Sequence, residues 1–206
     1  MKVLFAGAHP DDIELGASVL ARRTTQLYDT RFLICSDEPQ PTGNLRRAEA
    51  QSSASLLGLQ PPNITFLGLR DGYISVDKSA VAWCRSQLKE WRPDIVVTHS
   101  VHDSHQDHRH CNELLRATCR RSFFLCYYAP LSGESGFLPS WKLLPTDDKS
   151  SIRHQSLHCF ISQRHRLIRS HVSFEYNVEK FESFSQQNCD LRRFHEFVRN
   201  VDLASL

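Results

Sequence analysis

Short apolar runs alternate with longer amphipathic segments along the first 129 residues of the chain. Short apolar runs are typical of buried strands, and the longer segments between them carry apolar residues at helical spacing. The predicted strands are 2–8, 31–36, 63–69, 94–100 and 122–129, and the predicted helices are 13–26, 45–59, 78–91 and 107–121. This alternation predicts an α/β fold: a Rossmann-like, doubly wound, mostly parallel sheet with helices on both faces, in three layers.

The pattern weakens after residue 130. Prolines and glycines punctuate the segment 130–151, which is typical of a loop, and a helix is predicted from about 152 to 171. A length of 206 residues suits one domain. We therefore expect a single domain over 1–206, with a parallel α/β core at 1–129. Residues 130–206 are expected to form a loop that walls the pocket, followed by a helical and mixed extension.

Composition and charge exclude several classes of protein. Hydrophobic residues make up 40% of the chain and the formal charge is +2, which favours a globular protein and gives no reason to expect nucleic acid as a partner. The seven cysteines form no Cys-x-x-Cys pair, which argues against a disulfide scaffold and fits a reducing cytoplasm. Asp11 and Asp12 interrupt the N-terminal apolar run, so neither a signal peptide nor a membrane span is predicted.

Two clusters of polar residues follow the first and the fourth predicted strands. His9, Asp11 and Asp12 follow the first strand. The second cluster comprises His99, His102, Asp103, His105, Asp107, His108 and His110. In a doubly wound sheet with the strand order 3-2-1-4-5, strands 1 and 4 are neighbours where the strand order reverses, which is where ligands bind. We therefore expect the two clusters to face each other across one crevice.

The residue types of the two clusters predict a metal site. Imidazole and carboxylate groups together are the ligand set of zinc and of non-haem iron. His9, Asp12 and one or two histidines of the second cluster would supply the ligands. Asp11 would then lie beside the metal-activated water as a general base. The structural alternative is that Asp11 or Asp12 caps the following helix and that the histidines form a solvated loop.

Several segments carry a resemblance to a known family. "AHPDDIELG" (8–16) and "HDSHQDH" (102–108) resemble the motifs of the PIG-L/LmbE-like zinc-dependent N-deacetylases. The resemblance extends to five further segments that together span most of the chain: "RRAEAQSSASLLGL" (46–59), "FLGLRDG" (66–72), "RPDIVVTHS" (92–100), "SLHCFISQ" (156–163) and "EKF" (179–181).

The resemblance implies a role for each matching residue of the reaction centre. It implies His9, Asp12 and His108 as zinc ligands, a choice that spacing alone leaves open between His105 and His108. It implies Asp11 as the general base and His105 as the residue that stabilises the oxyanion. Zinc is the cofactor expected from the family, and iron(II) or another divalent metal is the alternative.

The remaining implied residues concern orientation and substrate. Asp107 is implied to orient one of the histidines, as carboxylates behind metal ligands do. Arg46 and Asp71 are implied to contact sugar hydroxyls. The expected reaction is removal of acetyl from an N-acetylglucosamine-type amino sugar in a small conjugate. Members of the family are often trimers or hexamers, so the resemblance is compatible with a homo-oligomer.

Other functions fit parts of the sequence. An amide hydrolase of the same fold with a different acyl group or carrier, such as a glycopeptide or a non-sugar amide, would differ only in the pocket walls. A catalytically silent binding or scaffold protein would be expected to lack a ligand or the base. A non-haem iron oxygenase is disfavoured, because such enzymes usually have a β-rich fold and this chain alternates strands with helices. A nucleotide-binding Rossmann enzyme is also disfavoured, because "GAHPDDIELG" lacks the Gly-x-Gly-x-x-Gly of a dinucleotide site.

Overall fold

The computed structural model describes residues 1–37, 42–88, 91–127, 136–143, 150–165, 179–185 and 190–205. The described strands are β1 (Lys2–Gly7), β2 (Asp29–Asp37), β3 (Ile64–Arg70), β4 (Ile95–His99), β5 (Phe123–Tyr127), β6 (Trp141–Leu143), β7 (Glu179–Ser185) and β8 (Ala204–Ser205). The described helices are α1 (Asp12–Leu27), α2 (Thr42–Leu56), α3 (Lys78–Leu88), α4 (Gln106–Thr118), α5 (Ser150–His158) and α6 (Leu191–Asn200). Short 3-10 helices lie at Pro61–Asn63 and Ile161–Gln163.

One mixed sheet organises the fold, in the order β3-β2-β1-β4-β5-β7-β6-β8. The five strands predicted from the sequence pair in parallel, in the predicted order 3-2-1-4-5. The last three strands add an antiparallel extension beyond β5. The prediction of a mostly parallel α/β sheet in three layers is therefore confirmed.

The core lies on both faces of this sheet. Successive side chains of a strand point to opposite faces. In β1, Val3 and Phe5 accordingly belong to one buried apolar cluster. Leu4 and Ala6 belong to a second cluster. A strand that is buried on both faces needs a continuous apolar run, which explains why β1 shows no alternation of polar residues.

Gly58 ends α2. It has φ +88, and the bonds from Gly58 N to Ser55 O (3.0 Å) and from Leu59 N to Ala54 O (2.9 Å) form a Schellman motif.

The predicted helix 152–171 is interrupted after its first turns. The helix α5 ends at His158, and Phe160 has the non-helical angles φ −89 and ψ 66. Phe160 is 1% exposed and packs into a small apolar cluster with Leu15, Ala50 and Leu157. Burial of this ring therefore stabilises a turn where local spacing predicted a continuous helix. Residues 166–171 lie outside the described part of the chain.

The segment 130–151 was predicted to be a loop. Within it, Trp141–Leu143 instead form β6, which pairs with β7 and β8. Since 128–135 and 144–149 lie outside the described residues, the assignment of this segment to a pocket wall stays a prediction.

The buried Glu179 of β7 ties the antiparallel extension to α1. Ala17 interrupts α1 with φ −149 and ψ 26. The carboxylate of Glu179 accepts hydrogen bonds from Val19 N (2.7 Å) and Leu20 N (3.0 Å), which lie in the first turn after the break. Arg153 Nη2 lies 3.0 Å from the same carboxylate and balances its charge. A carboxylate at a helix N-terminus is stabilised by free amides and by the helix dipole.

Two further expectations concern the chain as a whole. Among the described residues, six cysteines are free thiols and five of these are buried. None of the helices in the described part of the chain combines the length and the apolarity that a membrane span needs.

Candidate functional site

The two predicted polar clusters meet at the carboxyl edge of the sheet. They do so because β1 and β4 are hydrogen-bonded neighbours. His99 Nε2 lies 3.0 Å from Asp12 Oδ2, and His108 Nε2 lies 3.5 Å from Asp12 Oδ1. His9 Nδ1 lies 3.4 Å from Asp12 Oδ2. Asp12 is thus surrounded by three imidazole rings, one from its own cluster and two from the other.

The turn between β1 and α1 gives the two neighbouring aspartates different surroundings. Asp11 has φ 113, in the left-handed region that non-glycine residues rarely adopt, and such strain is typical of functional sites. Asp12 Oδ2 accepts a hydrogen bond from His9 N at 2.7 Å. Asp11 is the N-cap residue of α1, but its side chain makes no capping hydrogen bond. The capping alternative is therefore not what these carboxylates do.

His9 and His108 each present one ring nitrogen to Asp12 and the other to a carboxylate partner. His108 Nδ1 lies 2.8 Å from Asp103 Oδ2. His9 Nε2 lies 3.0 Å from Asp71 Oδ1 and 3.3 Å from Asp107 Oδ2. Histidines that bind metals usually have this arrangement, in which the nitrogen that does not bind the metal donates to a carboxylate. The arrangement leaves His9 Nδ1 and His108 Nε2 for a cation beside Asp12.

The ligating atoms of His9, Asp12 and His108 all lie within 4.8 Å of one another. Two other groups of three in the described residues meet the same criterion: His9, His105 and Asp107, and His99, Asp103 and His108. In both of these groups a histidine and a carboxylate are also within hydrogen-bonding distance of each other.

The electrostatics of the site favour a bound cation. Burial opposes a charge on His9, but the Asp12 carboxylate and hydrogen bonds to Asp107, Asp12 and Asp71 raise the pKa of its imidazole to about 12. Burial also opposes a charge on His108, whose pKa is nevertheless raised to about 10 by Asp12 and Asp103. The surrounding carboxylates therefore stabilise positive charge at this position. The donor set and its charge both fit a divalent metal ion.

His105 lies at the start of α4 and is available as a donor. Its Nδ1 accepts a hydrogen bond from Asp107 N at 3.2 Å, so a neutral ring carries its proton on Nε2. Burial and the neighbouring His108 and His9 lower the pKa of His105, which favours that neutral form. The ring lies against His9 and His108, with centroids 5.1 Å and 4.6 Å apart. His105 is therefore beside the proposed metal site with an N–H to donate.

Asp107 is fully buried and joins the site to the loop that follows β3. Its Oδ2 accepts from Gly72 N at 2.6 Å, and its Oδ1 accepts from Ile74 N at 3.4 Å. The histidine that it contacts through its side chain is His9. Asp71 lies on the same loop with 39% of its side chain exposed. The structure therefore brings Asp71 to the mouth of the site and fixes it there through Asp107.

Arg46 lies beneath the site, with 2% of its surface exposed. Its Nη2 donates to Pro10 O at 2.7 Å and lies 3.5 Å from Asp11 Oδ1. The predicted contact of Arg46 with a sugar stays a prediction. What the structure adds is that this guanidinium supports the strained turn and the carboxylate of Asp11.

Two residues of the second cluster to which the sequence assigned no role, Asp103 and His99, belong to the site. Asp103 orients His108, and its Oδ1 accepts from His105 N at 2.8 Å. His99 is fully buried, stacks on His108 with ring centroids 3.8 Å apart, and has its Nε2 3.2 Å from Tyr127 Oη. Both residues belong to the cluster named in the sequence. Only their contacts in the structure, which are the hydrogen bonds of Asp103 and the ring stacking of His99, distinguish them from the more exposed histidines nearby.

Solved structures with this fold include several deacetylases. The N,N'-diacetylchitobiose deacetylase from Pyrococcus horikoshii has a TM-score of 0.69 and 18% identity, covering 89% of this chain and 84% of that chain. Teicoplanin deacetylase Orf2, in its zinc-inhibited form, has a TM-score of 0.63 and 13% identity, covering 91% of this chain and all of that chain.

A further similar structure has a different activity. GalB, the 4-carboxy-2-hydroxymuconate hydratase from Pseudomonas putida KT2440, has a TM-score of 0.70 and 14% identity, covering 90% of this chain and 97% of that chain. At these identities the likeness shows the fold alone.

A family model identifies the chain more specifically. The PIG-L model, described as GlcNAc-PI de-N-acetylase, matches residues 4–119. The match spans more than half of the chain and includes both polar clusters, from the end of β1 to the start of α4. The chain therefore belongs to the PIG-L family of hydrolytic N-deacetylases.

Proposed function

We propose that this protein removes acetyl from an N-acetylglucosamine-type amino sugar in a small conjugate, with zinc as its metal cofactor. The observation that carries the proposal is the grouping of the ligating atoms of His9, Asp12 and His108 at the edge of the sheet, next to Asp11 and His105. Family membership supports the class of reaction. Iron(II) or another divalent metal is the alternative cofactor for the same ligands.

The proposed mechanism assigns one task to each residue. A zinc ion held by His9, Asp12 and His108 would supply Lewis-acid activation of a water molecule. Asp11 takes the proton from the water that attacks the acetamide carbonyl. His105 donates from Nε2 to the carbonyl oxygen as negative charge develops on it. Asp11 then gives the proton to the leaving amine, so that the products are acetate and the free amino sugar.

The residues around this centre hold it in place. Asp107 and Asp103 fix the ring orientations of His9 and His108 through their carboxylates. Asp71 is proposed to accept from a sugar hydroxyl at the mouth of the site, where part of its side chain is exposed. Arg46 is proposed to contact the sugar as well, from its buried position beside Asp11.

The first experiment measures metal and acetate together. The purified wild type, His108→Ala and the matched variant His110→Ala are compared by elemental mass spectrometry and by acetate release from N-acetylglucosamine conjugates. His110 lies on the same helix, α4, outside the metal-binding groups of the described residues. We expect about one zinc per chain and acetate release in the wild type and His110→Ala, and loss of both in His108→Ala.

Each contrary outcome has a defined meaning. Metal binding with no acetate from any N-acetyl sugar would refute the proposed substrate and favour a different acyl group or carrier. Since GalB, a protein of the same fold, is a hydratase, hydration of an unsaturated acid would then be the next assay. Failure to bind metal after reconstitution would refute the metal site and favour the silent scaffold.

A further inference from the structure

A cavity lies at the edge of the sheet opposite the metal site. It has a volume of about 630 Å³. Its described walls come from the end of α3, from residues 91–93 before β4, and from the connection between α4 and β5. These connections precede β4 and β5, whereas the metal site follows β1 and β4. The cavity is therefore separate from the proposed reaction centre.

Four arginines line the cavity: Arg85, Arg92, Arg120 and Arg121. No acidic residue is among the described lining residues. Lys89 and Glu90, which precede Trp91, lie outside the described residues, and the described acid of this connection, Asp94, is already paired with Lys2 N and Arg193. The positive charge of the walls is thus not balanced by described carboxylates.

Two of these arginines have hydrogen-bond acceptors at the C-terminal end of α4, and the other two do not. Arg85 Nη2 and Arg120 Nε donate to Ala117 O at 3.4 Å and 3.3 Å, as basic residues near helix C-termini commonly do. Arg92 and Arg121 make no hydrogen bond or ion pair with the described residues. Each helix C-terminus carries about half a negative charge, so α3 and α4 together offset only about one of the four positive charges.

The floor of the cavity is apolar and ordered. Leu88, Trp91 and Cys119 are each no more than 7% exposed. The Trp91 indole is held in place because its Nε1 donates to Asp29 Oδ2 at 2.7 Å and Arg31 lies 4.5 Å above the ring centroid. A ligand for this cavity needs an apolar part for the floor and several negative charges for the rim. The volume is within the range of about 300–1,000 Å³ that is usual for small-molecule sites.

We propose that this cavity binds a small organic phosphate, a molecule with an apolar or aromatic body and at least two negative charges, through Arg92 and Arg121. A guanidinium presents paired N–H donors that match phosphate oxygens, which makes arginine well suited to this ligand. The body of the ligand packs on the floor formed by Leu88, Trp91 and Cys119. This binding site is independent of the deacetylation proposed for the opposite edge.

The test uses adenosine diphosphate and inorganic pyrophosphate as probes, measured by isothermal titration calorimetry on the zinc-loaded protein. Arg92→Gln/Arg121→Gln is compared with Arg192→Gln/Arg199→Gln, which removes the same charge from the exposed α6. We expect about one site per chain, tighter binding of adenosine diphosphate than of pyrophosphate, and a loss of affinity of at least about tenfold in the first variant only.

The alternatives give different results. Equal affinity in the cavity variant would place the phosphate at the metal and overturn the proposal, as would an equal loss in both variants, which indicates general charge attraction. Binding to phosphatidylserine vesicles that depends on Arg92 and Arg121, with no binding of adenosine diphosphate, would overturn the small ligand in favour of a membrane surface.

Discussion

Replacement of Asp103 by asparagine tests whether the residue that sequence reasoning missed supports the metal site. Asp103 is fully buried and uses both carboxylate oxygens, with Oδ2 at 2.8 Å from His108 Nδ1 and Oδ1 at 2.8 Å from His105 N. A carboxamide has one acceptor oxygen, and its other end is a donor. Asp103→Asn therefore loses one of the two interactions and the negative charge behind His108.

The size of the effect follows from the type of contact. Loss of a carboxylate that orients a metal-bound histidine typically weakens metal binding by about 10–100-fold. This corresponds to about 1.4–2.7 kcal/mol of binding free energy. The fold should survive because asparagine has nearly the same shape. We therefore expect a protein with native circular dichroism, weaker zinc binding and a matching loss of activity at low zinc.

A competition titration against a chromophoric chelator measures this affinity. The control is Asp190→Asn, since Asp190 caps the distant helix α6 through Arg192 N and asparagine caps equally well. Zinc affinity equal to wild type in Asp103→Asn would refute the view that Asp103 orients His108. Equal weakening in the control would show that the assay reports a general loss of stability.

Three further predictions follow. Asp11→Asn should keep zinc and lose most turnover, because asparagine tolerates the left-handed backbone of residue 11 but cannot accept a proton; near-wild-type acetate release would refute Asp11 as the base. Burial raises the pKa of Glu14 from 4.5 to about 7, so the folded state binds this proton more tightly and stability falls as pH rises through that interval. Glu14→Gln should therefore be more stable than wild type at pH 8 by on the order of 3 kcal/mol in urea unfolding, with no difference at pH 4; a pH-independent difference would contradict this reasoning. Glu179→Gln should cost about 3–5 kcal/mol in the same measurement, because glutamine keeps only one acceptor oxygen for the two amides of α1 and removes the buried negative charge beside Arg153, whereas the exposed Glu196→Gln should change little.

The sequence predicted the parallel part of the sheet well because local pattern and topology agree there. Each of the first four strands is followed by a helix, and right-handed crossovers leave few strand orders. The antiparallel extension was not predicted. β6 and β8 are three and two residues long, and β7 joins the sheet through pairing with β5 across more than fifty residues of sequence. No local period encodes such a pairing.

The candidate site divides in the same way. Positions at strand ends could be predicted, since they depend only on topology, and this brought His9 and Asp12 together with the histidines of the second cluster in advance. The choice of His108 over His105 came from the family resemblance. The partners of these residues could not be predicted. Asp103 and His99 differ from neighbouring residues of the same types only in the orientation and burial of their side chains. A cluster in which seven of the twelve residues 99–110 are histidine or aspartate offers too many pairings for spacing to decide.

The backbone at Asp11 explains how two adjacent carboxylates can be proposed for different tasks. Consecutive residues of a strand or helix would keep a fixed angle between their side chains, but the left-handed angle of Asp11 changes that direction. Asp12 therefore lies among His9, His99 and His108, while Asp11 lies beside the guanidinium of Arg46. Arg46 also donates to Pro10 O, so one buried cation stabilises both the strained turn and the carboxylate that the turn presents. The strained backbone at this residue thus lets the proposed metal ligand and the proposed base be neighbours in sequence.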